Sequence, residues 1–451
     1  MKWAVAIAVV TTAIATQANA TAAQETLSTA PMKMLLSSQI GWNVDETTGG
    51  QICTVASEDV CQPGKLSDEA GGFEYLSSVA VDSHTGNVYV ADSGNSRVQE
   101  LTAAGVFVAM FGWGVNETKD KHAAATQEER NVCTAVSRDI CTAGVRGASA
   151  GQLTYPASVT VDPVTGDVYV AEVDVGYARV DRYAPDGHFV WMIGREVNAT
   201  TKGNICTERE IERSGVKCKA GVESTGSPEP GAFKILANAG DELAAGGPED
   251  LLYVGEEGRV QEFEPSGRWK REIAVVSPTP VSVAGIAVDQ AGDVYVLTAT
   301  PALGFLANVV HKLDQNGYQI AEFVMGARQP YSTVTLHGLA VDGAGRLAVI
   351  GGEEGLTESE EGRYTESYML LGALYDADTG HRISEFTVPV GNDGLAFSNV
   401  DELYVAATDG REVLRYGPTP VASLVTSPLL CKNGSEDETS ATFDCVPNAN
   451  P

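Results

Sequence analysis

The chain has 451 residues, enough for a large core, and it is strongly acidic, with 60 Asp and Glu against 30 Lys and Arg and a formal net charge of −30. This charge repels phosphate backbones and anionic lipid surfaces, which argues against nucleic acids and membranes as partners. It favours solubility and, among partners, cationic groups or metal ions.

The first 20 residues, MKWAVAIAVVTTAIATQANA, have the pattern of a secretory signal peptide. Lys2 precedes an apolar run too short to cross a membrane, and Ala18-Asn19-Ala20 fits a cleavage site. We therefore expect a secreted protein, extracellular or periplasmic, cleaved near Ala20 and not inserted in a membrane. Residues 21–33 are expected to form a linker.

Residues 77–112 predict four short strands: SSVAVD (77–82), NVYVAD (87–92), RVQELT (97–102) and FVAMFG (107–112). The connections SHTG, SGNS and AAGV have the length and composition of hairpin turns. Such a small sheet cannot bury both of its faces alone. It must therefore stack against copies of itself.

Copies of this unit recur along the chain. A Tyr-Val element is shared by Tyr89, Tyr169, Tyr253, Tyr295 and Tyr404, with LAVI (347–350) in the equivalent place. Tyr253 and Tyr295 are 42 residues apart, a spacing typical of four-stranded propeller blades. The six copies centre on 77–112, 153–194, 233–275, 281–325, 334–388 and 392–416.

The first copy, VAVDSHTGNVYVADSGNSRVQEL (79–101), resembles the NHL repeat. The second and fourth copies match in part and the others weakly. This resemblance implies an all-β fold, a six-bladed β-propeller of four-stranded antiparallel blades over about residues 34–416. It is poor evidence for function, because NHL-like propellers include scaffolds, ligand sensors and a few enzymes.

The sixth copy is one strand short, and the N-terminal segment supplies a candidate for it. LLSSQIGWNVDETTGGQICT (35–54) matches VFVAMFGWGVNETKD (106–120) and the following NVCT (131–134), an outer strand with its linker. We therefore expect the N-terminal strand to complete the last blade and close the ring, which would protect an exposed edge.

The eight cysteines form four close pairs: Cys53/Cys61, Cys133/Cys141, Cys206/Cys218 and Cys431/Cys445. The spacings are wider than the C-x₂₋₄-C of zinc knuckles, so they predict four local disulfides and an oxidising compartment. The last pair lies in the tail, residues 417–451, which is Pro-containing and too short for a domain.

The long insertions fall in only two classes of connection, those between strands two and three and those between blades. In a four-stranded meander both classes lie on one face of the disc. The blade-to-blade segments 41–76, 113–152 and 195–232 carry three of the cysteine pairs. This one-sided growth indicates a working surface around the mouth of the central channel. The alternative is neutral insertion, which costs little in closure entropy.

The start of each inner strand should line the channel mouth. The residues there are Ser77, Ser78, Ala157, Ser158, Ala284, His337, Asn392 and Asp393. Only His337, Asn392 and Asp393 are strong metal ligands, and Asn392-Asp393-Gly394 resembles a fragment of the pattern in gluconolactonase-like hydrolases. They are the candidate catalytic or metal site for a divalent cation, calcium or zinc. Turn or channel-water contacts are the alternative, and we expect no other cofactor.

Other polar features read as structural. An aspartate recurs after the inner strand and just before a Gly-containing turn, at Asp82, Asp162, Asp289 and Asp342. Such turns require Asp and Gly, so we read these aspartates as structural. The glutamate-rich stretch 351–368 reads as a solvated loop. Asn116, Asn198 and Asn433 lie in N-x-[ST] sequons, two of them in inserted segments where we expect exposure.

We therefore favour a monomeric, secreted, non-enzymatic propeller scaffold. It would bind an extracellular protein, peptide or polysaccharide through its disulfide-stapled loops. The alternatives are a metal-dependent lyase or lactonase-like hydrolase at the channel mouth, and a purely structural cell-surface module.

Overall fold

The computed structural model describes residues 32–57, 59–174, 177–222, 229–233, 243–256, 258–274, 282–302, 305–325, 333–358, 364–388, 394–420, 429–433 and 443–447. The proposed signal peptide lies outside these residues. Contacts within the chain define one compact unit from Leu35 to Gly417. None of the helices in the described part has the length and hydropathy of a membrane span.

The described strands form six antiparallel sheets of four or five strands, the blades of a six-bladed β-propeller. Blade 1 contains β3 Leu76–Val81, β4 Val88–Asp92, β5 Arg97–Leu101, β6 Phe107–Phe111 and β7 Val132–Thr134. Blade 2 contains β8 Pro156–Val161, β9 Val168–Asp174, β10 Tyr177–Tyr183, β11 Phe189–Ile193 and β12 Ile205–Thr207. In both blades the strands follow chain order from the channel outward. The first two predicted repeats are thus confirmed.

The next three blades have four strands each. Blade 3 contains β13 Leu243–Gly246, β14 Leu251–Glu256, β15 Arg259–Phe263 and β16 Trp269–Ala274. Blade 4 contains β17 Ser282–Val288, β18 Val294–Ala302, β19 Phe305–Leu313 and β20 Gln319–Met325. Blade 5 contains β21 Thr333–Val341, β22 Arg346–Glu358, β23 Tyr364–Asp376 and β24 Arg382–Thr387. The reading of 351–368 as a loop is wrong for its described residues, because they belong to the long paired strands β22 and β23.

Strands from both ends of the sequence make up blade 6. They are β25 Gly394–Phe397, β26 Leu403–Ala407, β27 Glu412–Pro420, β1 Met32–Ile40 and β2 Ile52–Thr54. In the sheet β1 lies between β27 and β2, and the Ser37 hydroxyl donates to the Arg415 carbonyl at 2.9 Å. That this strand keeps the ring closed stays a prediction.

The remaining elements are short. Helices are α1 Glu117–Asp120, α2 Gln127–Asn131 and α3 Glu208–Ser214, with a 3₁₀ turn at Val55–Ser57. In the tail, β28 Leu429–Asn433 pairs with β29 Phe443–Pro447. Cys431 and Cys445 are direct partners across this hairpin, but their side chains lie outside the described residues, so their disulfide stays a prediction.

The hydrophobic core lies between adjacent blades. Tyr89, Val98 and Phe111 of blade 1 pack with Val159 and Tyr183 of blade 2, all buried. Alternating apolar residues thus bury both faces of each sheet against its neighbours, as the repeat pattern predicted.

The recurring aspartates hold the turns between the first and second strands. Asp162 accepts from the amides of Val164 and Thr165, and Asp342 accepts from those of Ala344 and Arg346. The structural reading of these residues is therefore confirmed.

Candidate functional site

Three stapled segments decorate the propeller: residues 41–66, 112–146 and 194–222. Each contains one disulfide: Cys53–Cys61, Cys133–Cys141 and Cys206–Cys218, with Cα–Cα distances of 5.6, 5.6 and 5.7 Å. These three predicted pairings are confirmed. Three disulfides indicate that the protein folds in an oxidising compartment.

The three segments share one local structure. The first cysteine of each lies in the added outer strand, β2, β7 or β12. The second cysteine forms an isolated backbone bridge with a polar residue: Asp45 with Cys61, Asn116 with Cys141 and Asn198 with Cys218. The residue before each polar one is a fully buried valine, Val44, Val115 or Val197. The segments are therefore three copies of one unit, on the adjacent blades 6, 1 and 2.

Each copy returns across the turn between strands two and three of its blade. The Gly64 amide donates to the Gly410 carbonyl at 2.7 Å, and the Gly144 amide donates to that of Asn95 at 2.8 Å. A Cβ atom on Gly144 would collide with the carbonyl oxygen of Ser96, so the close approach requires glycine. The segments thus return to the predicted face.

Their cysteine-bearing strands, however, do not surround the channel mouth. β2, β7 and β12 are each the last strand of a sheet whose opposite edge lines the channel. That part of the expectation is wrong, because pairing with the free outer strand satisfies the backbone polar groups of the added strand. We call the outer edge of blades 6, 1 and 2 the stapled rim.

The outer strands carry a matching residue at one register position. Opposite the first cysteine of each stapled segment lie Gln39, Met110 and Met192. The equivalent position of blades 3, 4 and 5, which have no added strand, is occupied by Glu272, Glu322 and Glu385. A neutral or apolar residue fits a covered edge, whereas a charged residue blunts an exposed one. Sequence reasoning missed this pattern, which needs the strand register.

The sequon residues Asn116 and Asn198 are buried, not exposed as expected from the sequence. Asn116 accepts from the Lys119 amide and donates to the Val132 carbonyl, and Asn198 accepts from the amides of Thr200 and Thr201. These local bonds fix the start of each segment. A glycan on either nitrogen would be incompatible with this packing. The side chain of Asn433 lies outside the described residues.

Substitution of Asn198 tests this role. Asp45 accepts from the amides of Thr47 and Thr48 at the equivalent place, so Asn198→Asp should keep the turn. The Asn198→Asp substitution also removes the side-chain N–H group of Asn198, which has no hydrogen-bond partner in the described structure. Asn198→Ala should lower the free energy of unfolding by about 1–2 kcal/mol, and Asn198→Asp by much less. Urea unfolding of both variants measures the difference, and equal losses would contradict the assignment.

Exposed aliphatic residues recur in the stapled segments. Val60 and Ile140 are 57% and 60% exposed and occupy equivalent places, because their carbonyls accept from the amides of Glu46 and Glu117. Val55, Val136 and Val145 are also largely exposed. Aliphatic side chains exposed to water do not stabilise a monomer. Buried against a partner, the same side chains would stabilise a complex.

Buried arginines anchor the chain as it passes from one blade to the next. The guanidinium of Arg97 donates to Asp92 and to the carbonyls of Asp68, Glu69 and Gly72. Arg179 similarly binds the carbonyls of Ala148 and Gln152, and Arg259 binds that of Ala232. This network fixes the linkers, so the buried Asp92 has a structural role.

The inner strands share a β-bulge near the channel mouth. The register shifts at Ser77, Ala157, Ala284 and His337 in blades 1, 2, 4 and 5. Bulges re-aim side chains, and His337 occupies this position in β21. Its side chain lies outside the described residues, as do Asn392 and Asp393 altogether. The metal or catalytic site at these three residues stays a prediction.

The described end of the channel is lined mostly by apolar side chains. A cavity of about 200 Å³ is lined there by side chains of the inner strands, among them Val81, Val161, Ala244, Ala287 and Phe397. Among the described residues that line it, only Ser83 and Thr160 have polar side chains, and the lining contains no carboxylate, imidazole or amine.

A second cavity, of about 170 Å³, opens between the stapled segments of blades 1 and 2. Glu128 from α2 meets Glu208 and Glu212 from α3, one carboxylate oxygen of each within 4.8 Å of the others. Partial burial, followed by the charges of Glu128 and Glu212, raises the pKa of Glu208. Sequence reasoning missed this group, because the glutamates are 80 residues apart in the chain.

Comparison with known proteins agrees with this architecture. The NHL repeat model matches residues 73–101, in blade 1, so the chain is a six-bladed β-propeller that contains an NHL repeat. No curated protein matches the sequence.

Several solved structures are similar to the chain at low sequence identity. Hydrazine synthase from Kuenenia stuttgartiensis is 12% identical with a TM-score of 0.44, covering 81% of each chain. A gluconolactonase from Xanthomonas campestris is 10% identical with a TM-score of 0.42, covering 78% of this chain and 88% of its own. An aldose sugar dehydrogenase from Streptomyces coelicolor, in its PQQ-bound form, is 12% identical with a TM-score of 0.40, covering 79% and 98%. At these identities and TM-scores the likenesses carry no argument.

Proposed function

We propose that this protein is a secreted, non-enzymatic scaffold that binds an extracellular partner, most simply a protein, through its stapled rim. The observation that carries the proposal is the repetition of one disulfide-bonded unit on three adjacent blades. Two of the copies have an exposed aliphatic residue at the equivalent place, Val60 and Ile140, and the third has Lys217 there. A repeated apolar position gives a partner two anchor points of the same chemistry.

Rigidity supports the same reading. The disulfides, the buried asparagines and the anchored linkers order the rim before any partner arrives. A surface ordered in advance loses less conformational entropy on binding, so more of its contact energy appears as affinity. The acidic charge of the chain would attract a basic partner from solution.

Site-specific photo-crosslinking tests this proposal. A photoreactive residue is placed at position 60 or 140 of the purified protein, which is then added to the medium and to extracts of the source cells. The matched controls are positions 164 and 400. Val164 and Val400 are 65% and 63% exposed but lie in turns between first and second strands, on the opposite face. We expect adducts with one partner from 60 and 140 and none with it from 164 or 400.

The captured partner is then purified and titrated. Val60→Asp with Ile140→Asp should weaken the complex by about tenfold or more, because each carboxylate would be desolvated in an apolar contact. Val164→Asp with Val400→Asp should leave the affinity unchanged. Equal adducts from both faces, or no adduct from 60 and 140, would contradict the proposal.

A further inference from the structure

One buried strand position is a glutamine in blades 1 and 3 and an aspartate in blade 2. The position lies two residues after the buried arginine of each blade, opposite the valine of the Tyr-Val element, and is occupied by Gln99, Asp181 and Gln261. The linker that precedes each blade contributes a glycine with left-handed backbone, at Gly71, Gly151 and Gly231, with φ of 76°, 73° and 70°. The three sites are therefore equivalent in backbone and differ in this side chain.

In blades 1 and 3 the glutamine connects the linker to the blade without adding a charge. Gln99 accepts from the Gly71 amide at 2.9 Å and donates to the Gly72 carbonyl at 2.6 Å. Its amide also donates to Asp92, the ion-pair partner of the buried arginine. Gln261 makes the same three kinds of hydrogen bond in blade 3. Each of these sites therefore contains one balanced ion pair and a fully bonded neutral amide.

Asp181 does not make this set of bonds in blade 2. Its side chain is one methylene shorter than glutamine, and its Oδ1 atom is buried without a hydrogen-bond partner among the described residues. The Oδ2 atom of Asp181 accepts from Nε of Arg179 at 3.1 Å, and both side chains have no exposed area. Arg179 in turn donates to the linker carbonyls of Ala148 and Gln152. The linker of blade 2, residues 147–155, is thus held by a guanidinium that lies beside an orphan carboxyl oxygen.

The blade 2 site contains one carboxyl group more than its arginine can neutralise. Glu172 lies directly opposite Arg179 in the sheet and accepts from the amides of Thr154 and Tyr155 at 2.8 and 3.3 Å. These amide bonds stabilise the Glu172 carboxylate, so the proton that the two acids share resides on Asp181. Burial raises the pKa of Asp181 to about 7 against the attraction of Arg179, and the charge of Glu172 raises it further.

The other elements packed around Asp181 add no charge to this site. The phenol of Tyr183 lies two residues along β10, and burial raises its pKa well above its usual range. The linker has no charged side chain and only the phenol of Tyr155. Blade 1 contributes Tyr89 and apolar side chains to the facing core, and Met192 lies opposite in β11. Asp181 is not part of the cavity lining that Tyr183 shares with the titratable residues Glu128, Glu208, Glu212 and His188.

We propose that Asp181 is a pH-sensitive switch that controls how firmly the linker of blade 2 is held. With Asp181 protonated, Glu172 and Arg179 neutralise each other and the guanidinium holds the linker carbonyls. When the proton is lost to solvent, two carboxylates and one guanidinium remain in a site that excludes water, so opening of the linker becomes favourable. The linker follows directly on the stapled segment 112–146, so a rise in pH would also loosen the end of that segment. This proposal does not depend on the proposed binding function.

Hydrogen exchange of the whole protein, measured on peptides by mass spectrometry, tests the switch. The closed site keeps its proton up to about pH 7, whereas the opened site releases it near the ordinary value of 3.8. Opening therefore becomes easier as the pH rises between these values and levels off above pH 7. Relative to intrinsic exchange at each pH, protection of residues 147–155 should fall by at least about tenfold between pH 5 and 7. Protection of residues 68–73, which Arg97 and Gln99 hold, is the internal reference and should stay constant.

Substitutions that exchange the side chains of the two blades locate the effect. Asp181→Asn keeps the shape of the protonated carboxyl without its charge, and Asp181→Gln adds the methylene that would reach Gly151. Both should make protection of residues 147–155 independent of pH, and Asp181→Gln should also raise the unfolding temperature at pH 7. The reverse substitution, Gln99→Asp in blade 1, should make protection of residues 68–73 fall as the pH rises. Constant protection of 147–155 in the original protein, a pH dependence that survives both substitutions of Asp181, or none in Gln99→Asp would overturn the proposal.

Discussion

Replacement of Arg97 by methionine is expected to lower the free energy of unfolding by about 3–5 kcal/mol. The guanidinium of Arg97 is fully buried, bonds to Asp92 at 2.9 Å and donates to three carbonyl groups of the linker 68–72. Methionine fills a similar volume but leaves the Asp92 carboxylate and those carbonyls without their donor. Breaking one side of a buried ion pair is costly because an uncompensated charge remains.

The matched control is Arg268→Met. Arg268 likewise pairs with a carboxylate, that of Glu264, but the Arg268 side chain is 72% exposed. Water can therefore solvate Glu264 once the guanidinium is removed. We expect a much smaller loss of stability than for Arg97→Met, because solvent screens an exposed ion pair. Urea unfolding followed by circular dichroism measures both variants. A loss for Arg97→Met as small as that of the control would show that the buried network does not hold the linker.

Replacement of Glu412 by glutamine is expected to stabilise the protein, by about 3 kcal/mol at pH 7. Glu412 occupies in blade 6 the strand position that holds Arg97 in blade 1, and its partner across the sheet is Ala407. The side chain is 2% exposed, and one carboxylate oxygen has no hydrogen-bond partner within the described residues. Burial raises the pKa of Glu412 to about 8.

The sign of the pH effect follows from this raised pKa. The folded state prefers the protonated carboxyl, whereas the unfolded chain ionises near the ordinary value of 4.5. The stabilisation is complete below pH 4.5 and is lost as the pH rises toward 8, above which it levels off. Glutamine cannot ionise, so this part of the pH dependence should be absent from the variant.

Thermal unfolding of both proteins between pH 4 and 9 measures the effect. The curves should converge near pH 4 and separate as the pH rises. The control Glu402→Gln removes a charge from the same blade but breaks the ion pair of Glu402 with Arg415, so it should not stabilise. Parallel curves for Glu412→Gln and the original protein would contradict the raised pKa.

Much of the fold could be predicted from local patterns. The blades were predicted from alternating apolar residues, turn aspartates and the spacing of Tyr253 and Tyr295. The prediction was correct because the strands and turns of a hairpin depend on residues close together in the chain. The close cysteine spacing likewise predicted four disulfides, and three of them are confirmed, because such short loops leave few other pairings within reach. Expected exposure of Asn116 was wrong, since a sequon does not show whether its amide is needed inside a turn.

The candidate sites depended on long-range pairing. Met110 pairs with a cysteine on the neighbouring strand, whereas Glu322, at the equivalent position, faces solvent. This difference can be seen only once the strand register is known. The meeting of Glu128 with Glu208 and the buried position of Glu412 also arise from packing between strands distant in the sequence. The sequence by itself determined the repeat, the turns and the local staples, because these depend on residues close together in the chain. The tertiary structure alone decided which edges are covered and which charges meet, because side chains far apart in sequence become neighbours only when the blades pack.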